Sequence, residues 1–360
     1  MKTSQEIQAL RRSLLAWYDE QGRTLPWRIR PEDRARGIAA DPYKIWLSEI
    51  MCQQTVIKAA APYWHKFLKR WPTVIDLATA PQDDVLAAWA GLGYYARARN
   101  LHKCAQMVCG EHGGVFPAGE VELLKLPGIG PYTAAAIAAI CSGEATNVVD
   151  GNVERVICRL RTVEAALPKS RPEIRTLAGQ IADPKRPGDY AQALMDLGAL
   201  VCKPKNPKCD ICVWRSACRA RQQKTAEKYP VRQKKTKRPV RYGAVFYLER
   251  AGEILLRRRP ETGLLGGMME LPGVPWSEQK QPEDTWIASA PVCKNWQLAS
   301  APIKHVFTHF TLYLDVYIAA LGVGDKAGGA HTIWAALTNL DEYALPSVMR
   351  KAIRRAQETT

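Results

Sequence analysis

Four of the ten cysteines fall within 17 residues, in the pattern C-x6-C-x2-C-x5-C. They are Cys202, Cys209, Cys212 and Cys218. Disulfides are rare in the cytosol, where we expect this chain to stay, so such a group indicates metal ligation. A structural zinc is one interpretation, but zinc sites favour two close pairs, whereas one C-x2-C pair is flanked here by two single cysteines. The spacing therefore favours an iron–sulfur cluster over zinc.

A second candidate site is the glycine-rich segment LKLPGIGPYTAA, at residues 124–135. It joins two predicted helices through Gly128 and Gly130. Because glycine lacks a Cβ atom, backbone N–H groups there can approach a phosphate at the N-terminus of the following helix. An ordinary turn between two helices is the alternative.

A third candidate is the segment VVDGNVERV, which places Asp150 at a predicted helix start with Gly151 and Asn152 directly after it. Aspartate at that position commonly caps a helix, because its carboxylate accepts hydrogen bonds from the first free N–H groups. The segment alone therefore does not distinguish a structural cap from a catalytic carboxylate.

The chain is strongly basic, with 51 lysines and arginines against 35 aspartates and glutamates, a net charge of +16. This excess fits a polyanionic partner, with nucleic acid as the leading candidate. Residues 219–241 hold ten of the cations and one acid, so this segment alone carries +9. The charge run predicts either a solvated tether or a strap that follows a phosphate backbone.

The elements that must position these residues change in character along the chain. Apolar residues recur at helical spacing through the first 218 residues, including one continuous pattern over residues 41–71. After residue 240, β-rich runs alternate with turns, one of them over residues 303–321, and a single helix at residues 347–357 closes the chain. We predict a multi-domain protein with an all-α region at 1–218, an extended basic linker at 219–240 and an α+β domain at 241–360.

The chain contains no apolar run near the roughly 18 residues that a membrane span requires. Its first residues, MKTSQEIQALRRSLL, lack the apolar segment and cleavage site of a signal peptide. We therefore expect a cytoplasmic protein with no membrane partner.

Several segments resemble motifs of one family in the same order. LPGIGPYTA, VVDGNVERVICRL and the four cysteines resemble the helix-hairpin-helix iron–sulfur DNA glycosylases. SEIMCQQT and GLGYYARARNL are similar to the adenine-specific branch of that superfamily, the MutY family. The resemblance runs from LPWR at residues 25–28 to the β-rich end.

This resemblance implies an architecture and a partner. The helical region would form a six-helix barrel with the hairpin and an iron–sulfur lobe with a 4Fe-4S cluster, and DNA would lie between the two lobes. The C-terminal domain would have a Nudix-like fold that detects 8-oxoguanine. The implied partner is double-stranded DNA with an A:8-oxoguanine or A:G mispair, bound by a monomer.

The resemblance also assigns the chemistry. Cleavage of an N-glycosidic bond needs a proton on the departing base and a negative group near the sugar cation. Glu49 matches the family's general acid, and Asp150 matches the carboxylate that stabilises the sugar. Asn152 would orient that chemistry by hydrogen bonding. Tyr132 stands where lyase-competent relatives have a lysine, which implies a monofunctional glycosylase.

Recognition residues follow from the same motifs. Trp27 and Arg28 match the adenine pocket, and Gln54 and Thr55 match contacts to the orphaned guanine. Tyr94 is expected to wedge into the gap that the flipped adenine leaves. Gly128 and Gly130 would hold a DNA phosphate.

In the C-terminal domain, three consecutive residues take the place of the family's Phe-Ser-His motif for 8-oxoguanine. They are Phe307, Thr308 and His309. GLLGGMMELPG is similar to the start of a Nudix box, but the glutamate-rich helix that would bind magnesium does not follow Glu270. Cys52 and a lengthened loop at residues 29–40 also depart from the family's adenine pocket.

Three other functions were weighed against this one. An endonuclease-III-like glycosylase with lyase activity is disfavoured by Tyr132 and by residues 241–360. An iron–sulfur module that only binds DNA is disfavoured because both Glu49 and Asp150 are present. A Nudix hydrolase with a helical appendage is disfavoured because its metal-binding glutamates are missing.

Overall fold

The structure is a computed structural model that describes residues 4–233, 237–322, 327–329 and 331–359. The chain forms two compact units. The first comprises Met1–Ala78 with Lys103–Lys235, and the second comprises Thr79–His102 with Thr236–Thr360. The predicted fold class, helices followed by an α+β domain, is confirmed by the order of the elements.

The N-terminal region consists of helices, most of which begin beside a proline or a polar capping residue. They are α1 (Ser4–Gln21), α2 (Pro31–Ala35), α3 (Pro42–Cys52), α4 (Ile57–Arg70), α5 (Val74–Thr79), α6 (Gln82–Trp89), α7 (Ala96–His112), α8 (Glu120–Leu123), α9 (Pro131–Ile137), α10 (Gly151–Arg161), α11 (Arg171–Ile181), α12 (Pro187–Asp196) and α13 (Arg219–Gln222).

The predicted continuous helix over residues 41–71 is wrong in one respect, because the chain breaks between α3 and α4. Gln54, within the break, has a left-handed backbone with φ of 56°. A residue in that conformation cannot continue a right-handed helix, and only glycine adopts it without cost. The break turns residues 53–57 toward a cavity described below.

One large core holds the two ends of the helical region together. Leu14, Ile157 and Leu194 bring α1, α10 and α12 into this core. Trp214, from the segment that carries the cysteines, is also buried there, and its indole N–H donates to the carbonyl of Leu10 at 3.0 Å. The first helix and the cysteine segment therefore belong to one packed lobe.

The segment predicted as an extended linker, residues 219–240, is folded over its first half. Ala220 on α13 is fully buried, and the N–H of Leu167 donates to the carbonyl of Val231 at 2.9 Å. Arg159 also donates to the carbonyl of Tyr229. The extended conformation is therefore wrong for residues 219–228, which contain α13 and a 3-10 turn at Ala226–Lys228. Tyr229 is extended and Arg232 pairs with Leu167 as in a strand, so these residues are extended but held against the rest of the first unit. Residues 234–236 of the predicted linker lie outside the described residues.

The C-terminal part of the second unit, which consists of the described residues after 236, contains a mixed sheet and two α-helices. Its strands are β1 (Val240–Arg250), β2 (Glu253–Arg258), β3 (Met269–Glu270), β4 (Gln297–Leu298), β5 (Ile303–Val306), β6 (Thr311–Ala320) and β7 (Thr332–Ala336), and its helices are α14 (Glu283–Ile287) and α15 (Ser347–Gln357). The sheet order is β3-β2-β1-β6-β4, with β5 also paired to β6 and β7 to β2. Only β1 and β6, among the described strands, pair in parallel, with Val245 opposite Val316.

The predicted strand-like run over residues 303–321 is divided by a turn. Residues 307–310, which we call the reader turn, connect β5 to β6, and the N–H of Phe307 donates to the carbonyl of Phe310 at 2.9 Å. The two phenyl rings stack with centroids 4.7 Å apart. Beneath the sheet, Leu314 and Val316 pack against Val348 and Met349 of α15.

Residues 79–102 lie in the second unit, although the sequence placed them in the helical region. The bidentate ion pair between Asp83 and Arg258 is one physical reason, because it ties α6 to the sheet. In the described part of the chain, no helix combines the length and apolar character that crossing a membrane would require.

Candidate active site

A cavity of about 770 Å³ opens in the first unit and is lined from α3, α9, α10 and α12. Its wall includes eight of the residues to which the sequence assigned chemistry or recognition. They are Trp27, Arg28, Glu49, Gln54, Thr55, Tyr132, Asp150 and Asn152. Residues from distant parts of the chain thus meet in one place, as a catalytic pocket requires.

Glu49 lies on the inward face of α3, in the helical turn that also buries Ile45, Trp46 and Ile50. Desolvation by this apolar wall raises the pKa of its carboxyl group to about 7, and the nearby charge of Asp150 acts in the same direction. A hydrogen bond from Tyr132 and the charge of Arg28 oppose that rise. A carboxyl group with a pKa near neutrality can deliver a proton at physiological pH.

Asp150 is both the cap of α10 and a carboxylate of the pocket. One carboxylate oxygen accepts from the backbone N–H groups of Asn152, at 2.9 Å, and Val153, at 2.7 Å. The other oxygen accepts from the Asn152 side-chain amide at 2.7 Å. These donors fix the orientation of the carboxylate, so the capping and catalytic interpretations are compatible.

Tyr132, on the first turn of α9, lies near both carboxyl groups. Its hydroxyl is within hydrogen-bonding reach of Glu49 and lies 3.2 Å from the Met195 sulfur, and its single proton can be donated to one of these two acceptors at a time. Burial, followed by the charges of Glu49 and Asp150, raises the pKa of the phenol well above its usual value. The side chain is therefore a neutral hydrogen-bond donor within this pocket.

An ion-pair group behind the pocket was not predicted from the sequence. Arg28 donates to both carboxylate oxygens of Asp196, at 2.6 and 2.9 Å, and Arg23 shares the same carboxylate at 2.6 Å. Burial lowers the pKa of Arg28, but its hydrogen bonds to Asp196, together with the charges of Asp196 and other nearby acidic groups, outweigh this effect, so the net pKa is raised. Asp196 thus holds a permanent cation close to Glu49.

The signal for Asp196 was present in the sequence as an acid within DYAQALMDLGALVC, a mostly apolar helical segment that also contains Asp189 and Gln192. A buried acid requires a cation or several donors as partners. Gln192, from the same helix, was also missed. It lines the cavity with an almost completely buried amide, which donates to the carbonyl of Gly188 at 3.2 Å.

Trp27 forms an apolar part of the cavity wall and contacts Trp64 with ring centroids 5.7 Å apart. Cys52 lies in the same wall. Gln54 is exposed at the break between α3 and α4, while Thr55 is half-buried and its N–H donates to the carbonyl of Cys52 at 3.2 Å. The two predicted mispair residues therefore border the pocket rather than fill it.

The predicted hairpin connects α8 to α9. Gly128 has φ of +77°, a conformation that side-chain-bearing residues rarely adopt. Gly130 caps α9, and a Cβ atom added there would meet nothing within 4 Å. The hairpin thus leaves open space at a helix N-terminus, where an anion is favoured.

The four grouped cysteines line one small cavity beside Arg159. All four are free thiols and half-buried. Within the described residues, no group of three or more histidine, cysteine, aspartate or glutamate side chains is arranged to hold a metal ion. The thiols thus surround a common space without converging as ligands of one ion do.

Hydrogen bonds connect this cysteine cavity to Asp150. The Asn152 amide, which donates to Asp150, accepts from Arg155 at 3.0 Å. Arg155 in turn donates to the backbone carbonyl of Cys202 at 2.8 Å, and Arg159 donates to the Cys202 sulfur at 3.3 Å. Arg155 and Arg159 were not singled out from the sequence, although both lie on α10 directly after the VVDGN motif.

The predicted 8-oxoguanine residues lie on the reader turn of the second unit. Phe307 is half-buried and packs against Trp276 with centroids 5.6 Å apart. Thr308 and His309 are exposed. The Thr308 hydroxyl lies 2.9 Å from the hydroxyl of Tyr94, the predicted wedge, which is also exposed.

The carboxylate of Glu270, in the Nudix-like motif, already forms ion pairs with two arginines. Arg257 donates to its carboxylate at 2.7 Å, and Arg259 also donates to it. A carboxylate neutralised by two arginines is a poor magnesium ligand. The expected loss of diphosphate hydrolysis stays a prediction, and this pairing supports it.

Two family profiles match the chain. Residues 47–184 match the HhH-GPD superfamily of base excision DNA repair proteins, and residues 244–355 match the NUDIX domain. The first match includes Glu49, Tyr132 and Asp150 of the cavity wall, and the second includes the reader turn.

Named relatives align along nearly the whole chain. It is 37% identical to the adenine DNA glycosylase of Homo sapiens, over 97% of this chain and 74% of the human protein. It is 32% identical to the adenine DNA glycosylase of Buchnera aphidicola subsp. Baizongia pistaciae (strain Bp), over 96% of each chain. Among solved structures, a thermostable thymine-DNA glycosylase superposes with a TM-score of 0.53 at 25% identity, over 61% of this chain and 98% of that one.

Proposed function

The chain belongs to the adenine DNA glycosylases, which remove adenine from DNA in base excision repair, and from this premise we propose that its substrate is adenine paired with 8-oxoguanine or guanine. The observation that carries the catalytic part is the meeting of Glu49 and Asp150 in one pocket with different surroundings. The mispair specificity is supported by the exposed hydroxyl and imidazole of the reader turn.

We propose that Glu49 donates its proton to the departing adenine as the bond between the base and C1′ breaks. Asp150, held by Asn152, faces the positive charge that develops on the sugar. A fixed carboxylate at that position lowers the barrier because it needs no reorganisation. Water then adds to C1′ and loses a proton, which restores the acid form of Glu49 and completes the hydrolysis.

The proposed enzyme is monofunctional. A lyase needs an amine that can form an imine with the sugar aldehyde, and a neutral phenol cannot do so. Tyr132 instead tunes Glu49, because its hydroxyl stabilises the ionised carboxylate. Adenine must first leave the base stack, which costs a few kcal/mol and is easier at a mispair.

The pH dependence of base removal follows from Glu49. Its pKa of about 7 means that the acid is protonated below neutrality and loses its proton as the pH rises. We expect single-turnover rates to form a plateau at lower pH and to fall above about pH 7. Tyr132→Phe should move the fall to higher pH, since it removes a donor that lowers the pKa of Glu49.

The matched control for this experiment is Tyr313→Phe, which changes a half-buried phenol of the second unit and should leave the fall in place. A rate that stays flat between about pH 6 and pH 8 in the wild type would exclude Glu49 as the acid.

Recognition of 8-oxoguanine is proposed for the reader turn. The lesion differs from guanine by an O8 atom and an N7–H group, which a hydroxyl and an imidazole can read. Thr308→Val keeps the side-chain shape and removes the hydroxyl. We expect it to lower the preference for A:8-oxoguanine over A:G by about five- to a hundredfold, or 1–3 kcal/mol.

For each mispair, the single-turnover rate constant is divided by the dissociation constant. The preference is the ratio of the two quotients. Thr338→Val, which removes an exposed hydroxyl of the same unit, is the control. Equal ratios for Thr308→Val and wild type would show that the hydroxyl does not read the lesion. A truncation after Arg241 tests this less cleanly, because residues 79–102 contact the removed domain.

The four cysteines are proposed to hold a 4Fe-4S cluster. The four thiols line one small cavity, and their C-x6-C-x2-C-x5-C spacing favours a cluster over zinc, which prefers two close pairs. When bound, the cluster would supply a rigid cross-link among Cys202, Cys209, Cys212 and Cys218. Its role would be to fix the exposed loop with Lys203, Lys205 and Lys208 for phosphate contacts.

Anaerobically purified protein should therefore contain iron and acid-labile sulfide. Cys212→Ser should lose both and bind duplex DNA more weakly, with a smaller dependence of affinity on salt, because the basic loop is no longer fixed. Cys293→Ser, at an exposed thiol, is the control and should keep the cluster. Zinc without iron or sulfide in the wild type would refute the assignment.

Three further features stay predictions. We propose that the enzyme acts as a monomer and that it works on DNA in the cytoplasm. The domain bounds of 1–218, 219–240 and 241–360 are proposed as functional divisions, although residues 79–102 pack with the second unit.

A further inference from the structure

Residues 79–102 and the C-terminal domain are joined by polar contacts at two places. At one place, Arg258 donates to both carboxylate oxygens of Asp83, at 2.7 and 2.6 Å. Arg99 donates to the carbonyl of Gly266 at 2.6 Å. At the other place, the hydroxyls of Tyr94 and Thr308 lie 2.9 Å apart.

Arg99 contacts residues 261–267 of the C-terminal domain, which we call the glycine loop. This loop contains the GLLGG of the Nudix-like motif. The N–H of Gly267 donates to the carbonyl of Pro260 at 3.0 Å, and Gly267 has φ of +72°. A Cβ atom on Gly266 would lie 2.5 Å from the carbonyl oxygen of Glu261. The loop therefore has one closed shape, which directs the Gly266 carbonyl to Arg99.

The turn that carries Tyr94 needs external support. Tyr94 has φ of +48°, a left-handed conformation that costs about 1 kcal/mol or more for a residue with a side chain. Arg97 lies over the Tyr94 ring at 5.5 Å and donates to the carbonyl of Gly93 at 3.2 Å. These contacts hold the turn itself, whereas Asp83 and Arg99 hold the helices on either side of it.

We infer that Asp83, Arg99 and Arg258 are positioning residues that hold Tyr94 against Thr308, so that the wedge and the reader turn engage DNA as one preformed piece. This inference rests on the proposed function, since it assumes that Tyr94 enters the base stack and that Thr308 reads the opposite base. In this inference, the glycine loop is the surface on which the helices that flank Tyr94 pack.

Preorganisation gives this arrangement its effect. A wedge and a reader that moved independently would each lose conformational freedom on binding DNA, and that loss would weaken the bound complex. When both are fixed beforehand, the wedge enters the stack in a register that presents the opposite base to the reader hydroxyl. Substitutions that remove the contacts at the glycine loop should therefore reduce discrimination between 8-oxoguanine and guanine, although the substituted residues do not touch the base.

The test uses the full chain and five variants. Arg258→Ala and Asp83→Ala each remove one partner of the ion pair, and the Asp83→Ala, Arg258→Ala double variant removes both. The Arg99→Ala, Arg258→Ala double variant also removes the contact to Gly266, and Arg350→Ala is the control. Arg350 forms an ion pair with Asp341 in the same unit, and the side chains of Arg350 and Arg258 are 34% and 35% exposed. The preference for A:8-oxoguanine over A:G is measured for each variant.

We expect each ion-pair variant to lower the preference by about two- to fivefold, as an exposed bidentate pair allows. The Asp83→Ala, Arg258→Ala double variant should be no worse than Arg258→Ala alone, because the ion pair is already lost in that single variant. Adding Arg99→Ala to Arg258→Ala should lower the preference by about tenfold. Arg350→Ala should match the wild type.

A second measurement is independent of DNA. In the free protein, hydrogen exchange at the amides of residues 90–98 should become faster in Arg258→Ala but not in Arg350→Ala, since the wedge turn loses its support. Unchanged exchange in Arg258→Ala would overturn the inference, as would a preference equal to that of Arg350→Ala. A wild-type enzyme without any preference for 8-oxoguanine would instead refute the proposed substrate, while the exchange experiment would still decide the positioning role.

Discussion

Asp150→Asn should reduce the single-turnover rate of adenine removal by at least about a hundredfold, because it removes the negative charge beside the sugar cation. DNA binding should be nearly unchanged. Asparagine caps helices as well as aspartate does, so α10 should keep its first turn through the side-chain oxygen that accepts from Val153. The helix cap is therefore kept, and the expected loss is one of negative charge and of the hydrogen bond from the Asn152 amide.

The chain offers a matched control for this substitution. Asp41 caps α3 in the same way, accepting from the backbone N–H of Tyr43 at 2.9 Å. Asp41→Asn makes the same chemical change at a helix start outside the residues that line the cavity. It should leave the rate within about twofold of wild type. An Asp150→Asn rate within about tenfold of wild type would contradict the assigned role.

Glu49→Gln should also remove activity, by at least about a hundredfold, because the amide cannot donate a proton to the departing base. The residual rate should no longer fall above neutrality, since the group whose pKa lies near 7 is gone. Shape is conserved, so binding of the mispaired duplex should persist. Single-turnover rates across the pH range, with a parallel binding titration, give both results.

Glu164→Gln, at an exposed glutamate after α10, is the control for loss of a carboxylate as such. It should keep both the wild-type rate and the wild-type pH profile. If Glu49→Gln retained the fall above pH 7, another group would have to be the acid.

Local patterns predicted the elements well where the local signal is complete. The bounds of α1 and α15 follow directly from amphipathic runs with polar ends. The same rule failed over residues 41–71, because the break depends on the left-handed conformation of Gln54, which apolar spacing does not encode. It also left open whether residues 307–309 lie on a strand or in an adjoining turn, because Phe307 and Phe310 continue the β-rich composition although their rings stack on each other.

The residues of the candidate site also differ in whether a local pattern could identify them. Glu49, Asp150 and the four cysteines lie in motifs that the sequence displays directly. Asp196 was missed because its partners, Arg23 and Arg28, are more than 160 residues away in the chain. Residue types and short spacing carry no information on such a pair until the helices are packed.

The contact between residues 79–102 and the C-terminal domain could not be predicted for a similar reason. Arg99 and the Gly266 carbonyl are 167 residues apart, and neither residue type identifies the other. Arginine is common at protein surfaces, and every residue has a carbonyl. Only the folded glycine loop makes this carbonyl a specific acceptor.

The central claim is that this chain removes adenine opposite 8-oxoguanine by hydrolysis, without cutting the strand. One experiment tests it most directly: a duplex with a single A:8-oxoguanine pair is incubated with the enzyme, and free adenine and strand cleavage are measured separately. We predict release of adenine, faster than from an A:G duplex, with strand cleavage only after alkali and little borohydride-trapped complex. Strand cleavage without alkali together with high-yield trapping, or intact adenine in the A:8-oxoguanine duplex, would contradict the account.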